Sequence, residues 1–165
     1  MVKQITVLDA CDPNQWSLAI AKFDAWYSDF KKKIEDLMNE LVKRGVDIAK
    51  AQVVMLGKVK TGTLLNSISG YYDPNTHVGI IKADSEYAVY VEYGTGIVGM
   101  NSPHPTAGED GWAYDVNSHG EAGWVYPKEG GFWWTKGQPA SPFMYNTLNQ
   151  LQQECESIAR TVFNR

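Results

Sequence analysis

The longest regular pattern in the chain is a run of apolar residues at helical spacing between Trp26 and Leu56. Steps of three, four and seven residues place its members on one face of a helix. They are Tyr27, Phe30, Ile34, Leu37, Leu41, Ile48 and Met55. Such a face has to pack on another layer, so the pattern predicts a long helix over about 26–56. Gly45 lies on the same face and predicts close packing against a sheet.

A separate short helix over about 13–23 is predicted by Asp12-Pro13, an N-cap followed by proline at the first helical position. Residues 3–8 alternate loosely and predict a short strand. Residues 65–72 and 77–83 read as two strands about Asp73-Pro74-Asn75-Thr76, which suits a type I turn.

The second half of the chain predicts two more short strands and a closing helix. The strands are expected at 123–127 and 131–135, and Ser141-Pro142 is expected to cap a helix over about 142–163. The predicted fold class is α+β, in a single domain spanning 1–165. A small antiparallel sheet over about 65–136, interrupted by a Gly/Pro/aromatic loop at 97–122, packs one face on the N-terminal and C-terminal helices.

Residues 84–96 bring three tyrosines, two glutamates and two glycines together just before that loop. Ser85 or Asp84 could cap a short helix here, and Gly94 could end it. We expect a structural pivot, in which tyrosines wedge the helix against the sheet and a buried glutamate accepts backbone hydrogen bonds. The pivot residues are Tyr87, Tyr90, Glu92, Tyr93, Gly94 and Gly96.

Three patterns that could carry chemistry are each better explained without it, so no catalytic, cofactor-binding or metal-binding residues are predicted. Gly94–Gly99 matches G-x-G-x-x-G, but Pro103 and Pro105 follow, and we expect no helix to start on the motif and hold a phosphate. Glu86 and Glu92 diverge on a helix and lie too far apart on a strand to act as a carboxylate pair. The acids and histidines of the loop lack metal-ligand spacing; they are His104, Glu109, Asp110, Asp115, His119 and Glu121.

The charge and cysteine content of the chain exclude some classes of binding partner and cellular location. The net charge of −4 and the scarcity of basic clusters argue against a duplex-binding module. Two cysteines without a ligand pattern, and an N-terminus without a signal-peptide core, predict a protein made in a cytoplasm without a membrane anchor.

Six tryptophans exceed what a core of this size needs, so some are expected at a surface that meets a partner. Alternation predicts that each late strand has one core face and one exposed face. The candidate interface residues are Trp112, Tyr114, Trp124, Tyr126 and Trp134.

Three segments together resemble a known family. Residues 60–68 (KTGTLLNSI) are similar to a D-T-G-x-L-x-x-S-I element, 86–95 (EYAVYVEYGT) to x-Y-A-x-Y-V-E-F/Y-G-T, and 137–143 (GQPASPF) to G-Q-P-A-R-P-F. Lys60 and Ser141 depart from an acid and an arginine in these elements. The family is the small tail-component proteins of long-tailed bacteriophages, which include tail-completion and head–tail joining (neck) proteins.

The resemblance covers about 27–163 and implies a non-enzymatic virion protein with an α+β fold and no cofactor. It implies a ring-like homo-oligomer at the head-proximal end of the tail, assembled in the bacterial host cytoplasm beside head-closure and tail-tube proteins. DNA would pass through the channel without sequence-specific binding. The alternative from the residues is a carbohydrate-binding or cell-wall-associated module that uses exposed tryptophans as sugar platforms.

Overall fold

The computed structural model describes residues 12–116, 122–128 and 130–164. The predicted strand at 3–8, Cys11, His119 and Glu121 lie outside these residues. The fold class is α+β, as predicted, and is dominated by helices.

Helix α1 runs from Pro13–Met55 as one continuous element of 43 residues. Asp12 caps it, accepting a 2.9 Å hydrogen bond from the backbone N–H of Asn14. The predicted division into two helices is wrong, because the joint at Asp24-Ala25 holds neither glycine nor proline and so nothing stops the helix there.

A short helix, α2 (Thr63–Ser67), follows a turn through Gly57 and Gly62, which both have positive φ. The strand predicted at 65–72 therefore begins later than expected, at Ile68, because residues 63–67 form α2 and bury Leu64 from the helix. Strands β1 (Ile68–Asp73) and β2 (Val78–Ala83) pair antiparallel, with Ile68 opposite Ala83.

The turn between β1 and β2 is held by its first residue, as the sequence predicts. The Asp73 carboxylate accepts from the backbone N–H of Asn75 and from the Thr76 hydroxyl, both at 2.9 Å. The same hydrogen bonds lower the pKa of Asp73, and the one from Asn75 has the largest effect.

Two further short helices come next, α3 (Ala88–Tyr93) and α4 (Gly96–Asn101). Strands β3 (Trp124–Lys128) and β4 (Gly131–Thr135) then form a second antiparallel hairpin, and α5 (Phe143–Phe163) closes the described chain. Within the described residues, two separate two-stranded sheets take the place of the expected single sheet. Residues 97–101 of the predicted loop are helical.

Helix α5 packs antiparallel along α1. Asn146 lies beside Gln52, Glu154 pairs with Arg44 at 2.5 Å, and the ring of Phe163 lies 5.9 Å from that of Phe30. The hydrogen bond from Arg44 lowers the pKa of Glu154 to about 2.

The first hairpin packs on α1 at Gly45, as the sequence predicts. A Cβ at this position would collide with Ile81 of β2 and approach Leu151 of α5 to 3.2 Å. The sheet and both long helices therefore meet where α1 has no side chain. The main core lies along α1 from this point; its buried members are Ala49, Val53, Leu64, Ile68, Ala88, Val91 and Phe143.

Across the described residues, none of the helices combines the length and apolar character needed to span a bilayer.

Candidate functional site: a buried polar junction and two exposed aromatic surfaces

Helix α3 occupies the tyrosine-rich stretch, and Gly94 ends it with φ of 79°. The predicted side-chain cap is wrong: Asp84 pairs with Lys82 at 2.8 Å, and the Ser85 carbonyl, not its hydroxyl, accepts from Ala88 N–H at 2.9 Å. The face that α3 buries consists of Ala88, Val91 and Glu92, so its tyrosines do not wedge it against the sheet.

Glu92 is the polar centre of the molecule and is only 7% exposed. Its carboxylate accepts from the backbone N–H groups of Met144 and Tyr145, both at 2.9 Å. These are first-turn amides of α5, where a negative charge is favoured by the helix dipole. Glu92 is thus the buried acceptor for backbone amides that the sequence led us to expect.

Ser141 was predicted to be the N-cap of α5, and this prediction is wrong. Pro142 is the N-cap, and no side chain of the capping residue bonds to the helix. Ser141 is buried instead, and its backbone N–H donates to the carbonyl oxygens of Val91 at 2.9 Å and Glu92 at 3.2 Å. A carboxylate from 52 residues earlier performs the capping that Ser141 was expected to perform.

His104 completes this junction and is 4% exposed. Its Nδ1 accepts from the backbone N–H of Thr106 at 3.2 Å, which leaves Nε2 to carry the proton and donate to Glu92 at 3.0 Å. The backbone N–H of His104 donates to the hydroxyl of Tyr114, which itself donates to the carbonyl of Tyr93. We call Glu92, His104 and the two α5 amides the Glu92–His104 junction.

A second set of polar contacts lies outside the junction and centres on Asp110. The Asp110 carboxylate accepts hydrogen bonds from the hydroxyls of Tyr93 at 2.7 Å and Thr106 at 2.5 Å. These hydrogen bonds lower the pKa of Asp110, and the one from Thr106 has the larger effect. The bond to Asp110, together with burial, raises the pKa of Tyr93 to about 12.

Residues 102–116 therefore fold back on α3. The indole of Trp112 stacks on Tyr93 with ring centres 5.0 Å apart and meets Tyr90 edge-on at 5.9 Å. Trp112 and Tyr114 are half-buried by these contacts. Sequence reasoning placed both in a loop open to partners; the missed signal was the pairing of loop aromatics with the tyrosines of α3.

The glycine motif does begin a helix, contrary to the sequence-based expectation, because α4 starts at Gly96 and ends before the prolines. The motif follows helix α3 instead of a strand, so it lacks the strand–turn–helix setting of a dinucleotide site. A Cβ at Gly94 would lie 2.6 Å from Ala140 N, and one at Gly99 would lie 2.9 Å from the Tyr114 ring. These glycines serve close packing of the chain.

An open cleft of about 610 Å³ lies beside the junction. Polar residues that line it include Glu92, His104, Thr106 and Asp110, and each of these four side chains is hydrogen-bonded within the chain. Among the described residues, no cluster of histidine, cysteine and acidic side chains could hold a metal ion. The arrangement joins α3, α5 and the 102–116 segment.

The β3–β4 hairpin carries exposed aromatics on both faces. Tyr126 is 36% exposed on one face, and Phe132 (80%) and Trp134 (58%) are exposed on the other. The expected core face is thus absent from this hairpin. Trp124, at its base, is half-buried over Gly96. We call the exposed set Val125, Tyr126, Phe132, Trp133 and Trp134 the hairpin surface.

A second exposed surface, which sequence reasoning missed, lies on the N-terminal part of α1. Its residues continue the helical face that packs farther along the same helix. The signal was the same three- and four-residue spacing, read toward the N-terminus. We call Trp16, Ile20, Phe23, Trp26, Tyr27 and Phe30 the α1 stripe.

Residues 19–94 match the family model described as "Bacteriophage HK97-gp10, putative tail-component". The match supports a phage tail-component family. It runs from within α1 to the end of α3, and so includes the 60–68 element and nearly all of the 86–95 element. No curated protein and no solved structure matches the chain.

A phage tail component has a structural role, a place in the virion and contacts with other virion proteins. Families of this structural class are generally non-enzymatic. The 137–143 element lies beyond the matched residues, where it forms the approach to α5.

Proposed function

We propose that this tail component joins or completes the tail at its head-proximal end, in the neck, through contacts with copies of itself and with other virion proteins. Head-closure and tail-tube proteins are the proposed neighbours, and DNA would pass through the assembled channel. Assembly would take place in the host cytoplasm. The observation that carries the proposal is the clustering of exposed aromatic side chains into two surfaces, the hairpin surface and the α1 stripe.

The hairpin surface is the stronger of the two for contact with a different protein. Phe132 and Trp134 share one face of a two-stranded sheet, and Tyr126 lies on the other. Exposed aromatic clusters of this kind are typical of protein interfaces, where aromatics supply much of the binding energy. Among the five interface candidates, we assign direct contact to Tyr126 and Trp134. Trp124, Trp112 and Tyr114 are assigned the positioning of the hairpin and the 102–116 segment.

The Glu92–His104 junction supports a scaffold role. Its carboxylate and imidazole, which could act in catalysis elsewhere, bind backbone amides and each other. They fix the start of α5 relative to α3. A rigid body of this kind is suited to transmit load between a head and a tail.

The test is complementation of a phage that lacks this protein. Phe132→Glu with Trp134→Glu should give filled heads and separate tails in electron micrographs, with few joined particles. Met55→Glu is the matched control, because Met55 is 78% exposed and lies outside both surfaces. Normal joining by the hairpin variant, or a block before any tails form, would overturn the proposal.

The carbohydrate-binding alternative also uses exposed indoles, since Trp133 and Trp134 are 53% and 58% exposed. Neighbouring strand residues face opposite sides, so these two do not form one flat platform. Titration with host cell-wall glycans separates the two ideas: a saturable shift in tryptophan fluorescence that is lost in Trp134→Ala would favour the alternative.

A further inference from the structure

The open cleft beside the Glu92–His104 junction has the size and lining of a binding site. Residues of α3, of the beginning of α5 and of the 102–116 segment surround its volume of about 610 Å³. Most of its lining is apolar: Ala88 and Phe143 are buried, whereas Val89 and Leu148 are 41% and 54% exposed. Clefts of this size that combine apolar walls with a few polar groups are typical of binding sites in proteins.

The polar side chains that line the cleft are held in place by the protein itself. His104 donates to Glu92, whose carboxylate also accepts from two backbone amides of α5. The ring of Tyr93 stacks on Trp112 with ring centres 5.0 Å apart, and its hydroxyl donates to Asp110. A cleft built in this way needs little rearrangement when a partner enters, so less of the binding free energy is lost to ordering.

The charged groups of the cleft have one sign. Glu92 and Asp110 line it, and none of the described residues that line it is a lysine or an arginine. Both oxygens of Glu92 accept hydrogen bonds within the chain. Asp110 differs, because the hydroxyls of Tyr93 and Thr106 both donate to its Oδ2, and no described residue donates to its Oδ1. Asp110 is exposed, and its lowered pKa keeps it ionised at neutral pH.

We propose that this cleft receives a basic side chain, together with an apolar neighbour, from a different virion protein. The arginine or lysine would donate to Oδ1 of Asp110, and its aliphatic stem would lie along Val89 and Leu148. A free cation would leave these exposed apolar side chains uncovered, whereas the stem and the apolar neighbour of a protein segment cover them. The cleft rests on the proposed function in taking another virion protein as its partner, and it adds the chemistry by which that partner is recognised.

The first experiment titrates the full-length, ¹⁵N-labelled protein with a short peptide. Acetyl-Leu-Arg-Leu-amide carries a basic group with apolar neighbours, and the same peptide with citrulline in place of arginine has nearly the same shape without the charge. The arginine peptide should cause saturable NMR shifts at the amides of Asp110 and Leu148, and the citrulline peptide should bind about tenfold more weakly.

Three results of this titration would overturn the proposal. Equal affinity for the two peptides would show that charge plays no part, and shifts confined to other parts of the protein would place the peptide elsewhere. Putrescine, a small diamine, is the third probe. If it binds as tightly as the arginine peptide, the cleft takes a free cation and its apolar walls contribute nothing.

Two variants change the cleft in different ways. Leu148→Lys places a positive charge of the chain's own at the cleft, and Met55→Lys is its control, because Met55 is 78% exposed and does not line the cleft. Asp110→Asn removes the charge that the peptide would meet, and Glu109→Gln is its exposed neighbouring control. Each cleft variant should weaken binding of the arginine peptide about tenfold, and the controls should bind it as the wild type does. If circular dichroism shows that Asp110→Asn does not fold, Leu148→Lys alone decides, and its unchanged affinity would overturn the proposal.

Complementation of a phage that lacks this protein separates the cleft from the proposed function. Leu148→Lys should cause a loss of joined particles, and Met55→Lys should not. If Leu148→Lys supports normal joining while Phe132→Glu with Trp134→Glu blocks it, the cleft proposal falls and the proposed function stands. Sedimentation velocity of the isolated protein supplies the last arm: the same association state for wild type and Leu148→Lys is expected, and a difference would show that a second copy fills the cleft.

Discussion

The two halves of α1 have the same spacing of apolar residues and different surroundings. From Ile34 to Val53 the face is covered by α5 and the first hairpin, and Ile48 is only 2% exposed, whereas Met55 at the end of the same face is 78% exposed. Before Ile34 the same face leaves Ile20 58% exposed. Helical periodicity thus reveals which face of a helix is apolar. Whether the protein covers that face itself depends on how far the partner helix reaches.

The largest expected effect comes from the same substitution in both halves. Ile48→Ala should lower the free energy of unfolding by about 3 kcal/mol, because it removes packed methyl groups and leaves a cavity. Ile20→Ala should change it by less than about 0.5 kcal/mol. Urea denaturation of the protein at a concentration where it is monomeric measures both. Similar losses for the two variants would show that the halves do not differ as described.

The next effect tests what holds α5 over the second half of α1. Glu92→Gln keeps the shape but removes the charge and brings an amide donor close to the donors of Met144 and Tyr145. We expect a loss of about 2 kcal/mol in urea denaturation. Glu86→Gln is the matched control, since Glu86 is exposed on the same stretch, and it should be close to neutral. Equal effects of the two changes would refute the structural role of the junction.

A smaller change in the free energy of unfolding is expected at Gly45, the position in the second half of α1 that has no side chain. Gly45→Ala gains about 1 kcal/mol in helix propensity but forces Ile81 to move, so we expect a net loss of about 1 kcal/mol. The double variant with Ile81→Val removes the colliding methyl group and should recover stability. If the single variant is more stable than the wild type, the close approach at Gly45 is not a constraint.

The smallest effect comes from the Arg44–Glu154 pair, which joins the second half of α1 to α5 at the surface. The pKa of Glu154 is lowered from 4.5 to about 2 in the folded protein, chiefly by the hydrogen bond from Arg44. A lowered folded-state pKa means that the stabilising effect is present above pH 4.5 and is lost as the pH falls toward 2. The Tm difference between wild type and Glu154→Gln should therefore shrink over this range. A difference that stays constant with pH would exclude the pair as its cause.

The elements that the sequence predicted best have strong local signals. The apolar face of the long helix over about 26–56, the Asp73 turn and the close packing of Gly45 on a sheet follow from spacing and turn chemistry. Glu92 could be anticipated as an acceptor because a carboxylate in an apolar stretch needs donors. The donors themselves, 52 residues away on α5, could not be deduced from local pattern.

The errors come from contacts between distant segments. Pro103 and Pro105 indicated an irregular loop, yet Gly96–Asn101 is helical and His104 is buried against Glu92. The alternation of side chains along β3 and β4 predicts which residues share a face of the hairpin, but not which face another element covers. Both faces of the hairpin are in fact exposed. Because a deletion of 97–122 would remove His104 and Trp112, which contact Glu92 and Tyr93, we expect it to destabilise the fold.

The order of the elements also has a consequence for synthesis on the ribosome. Arg44 meets a partner 110 residues later in the chain, and the whole covered half of α1 depends on α5. Until α5 has emerged, nascent chains carry a long helix whose apolar face is only partly covered, by the first hairpin, and these chains lie close together on a polysome. Premature termination before α5 would therefore release a product prone to aggregation.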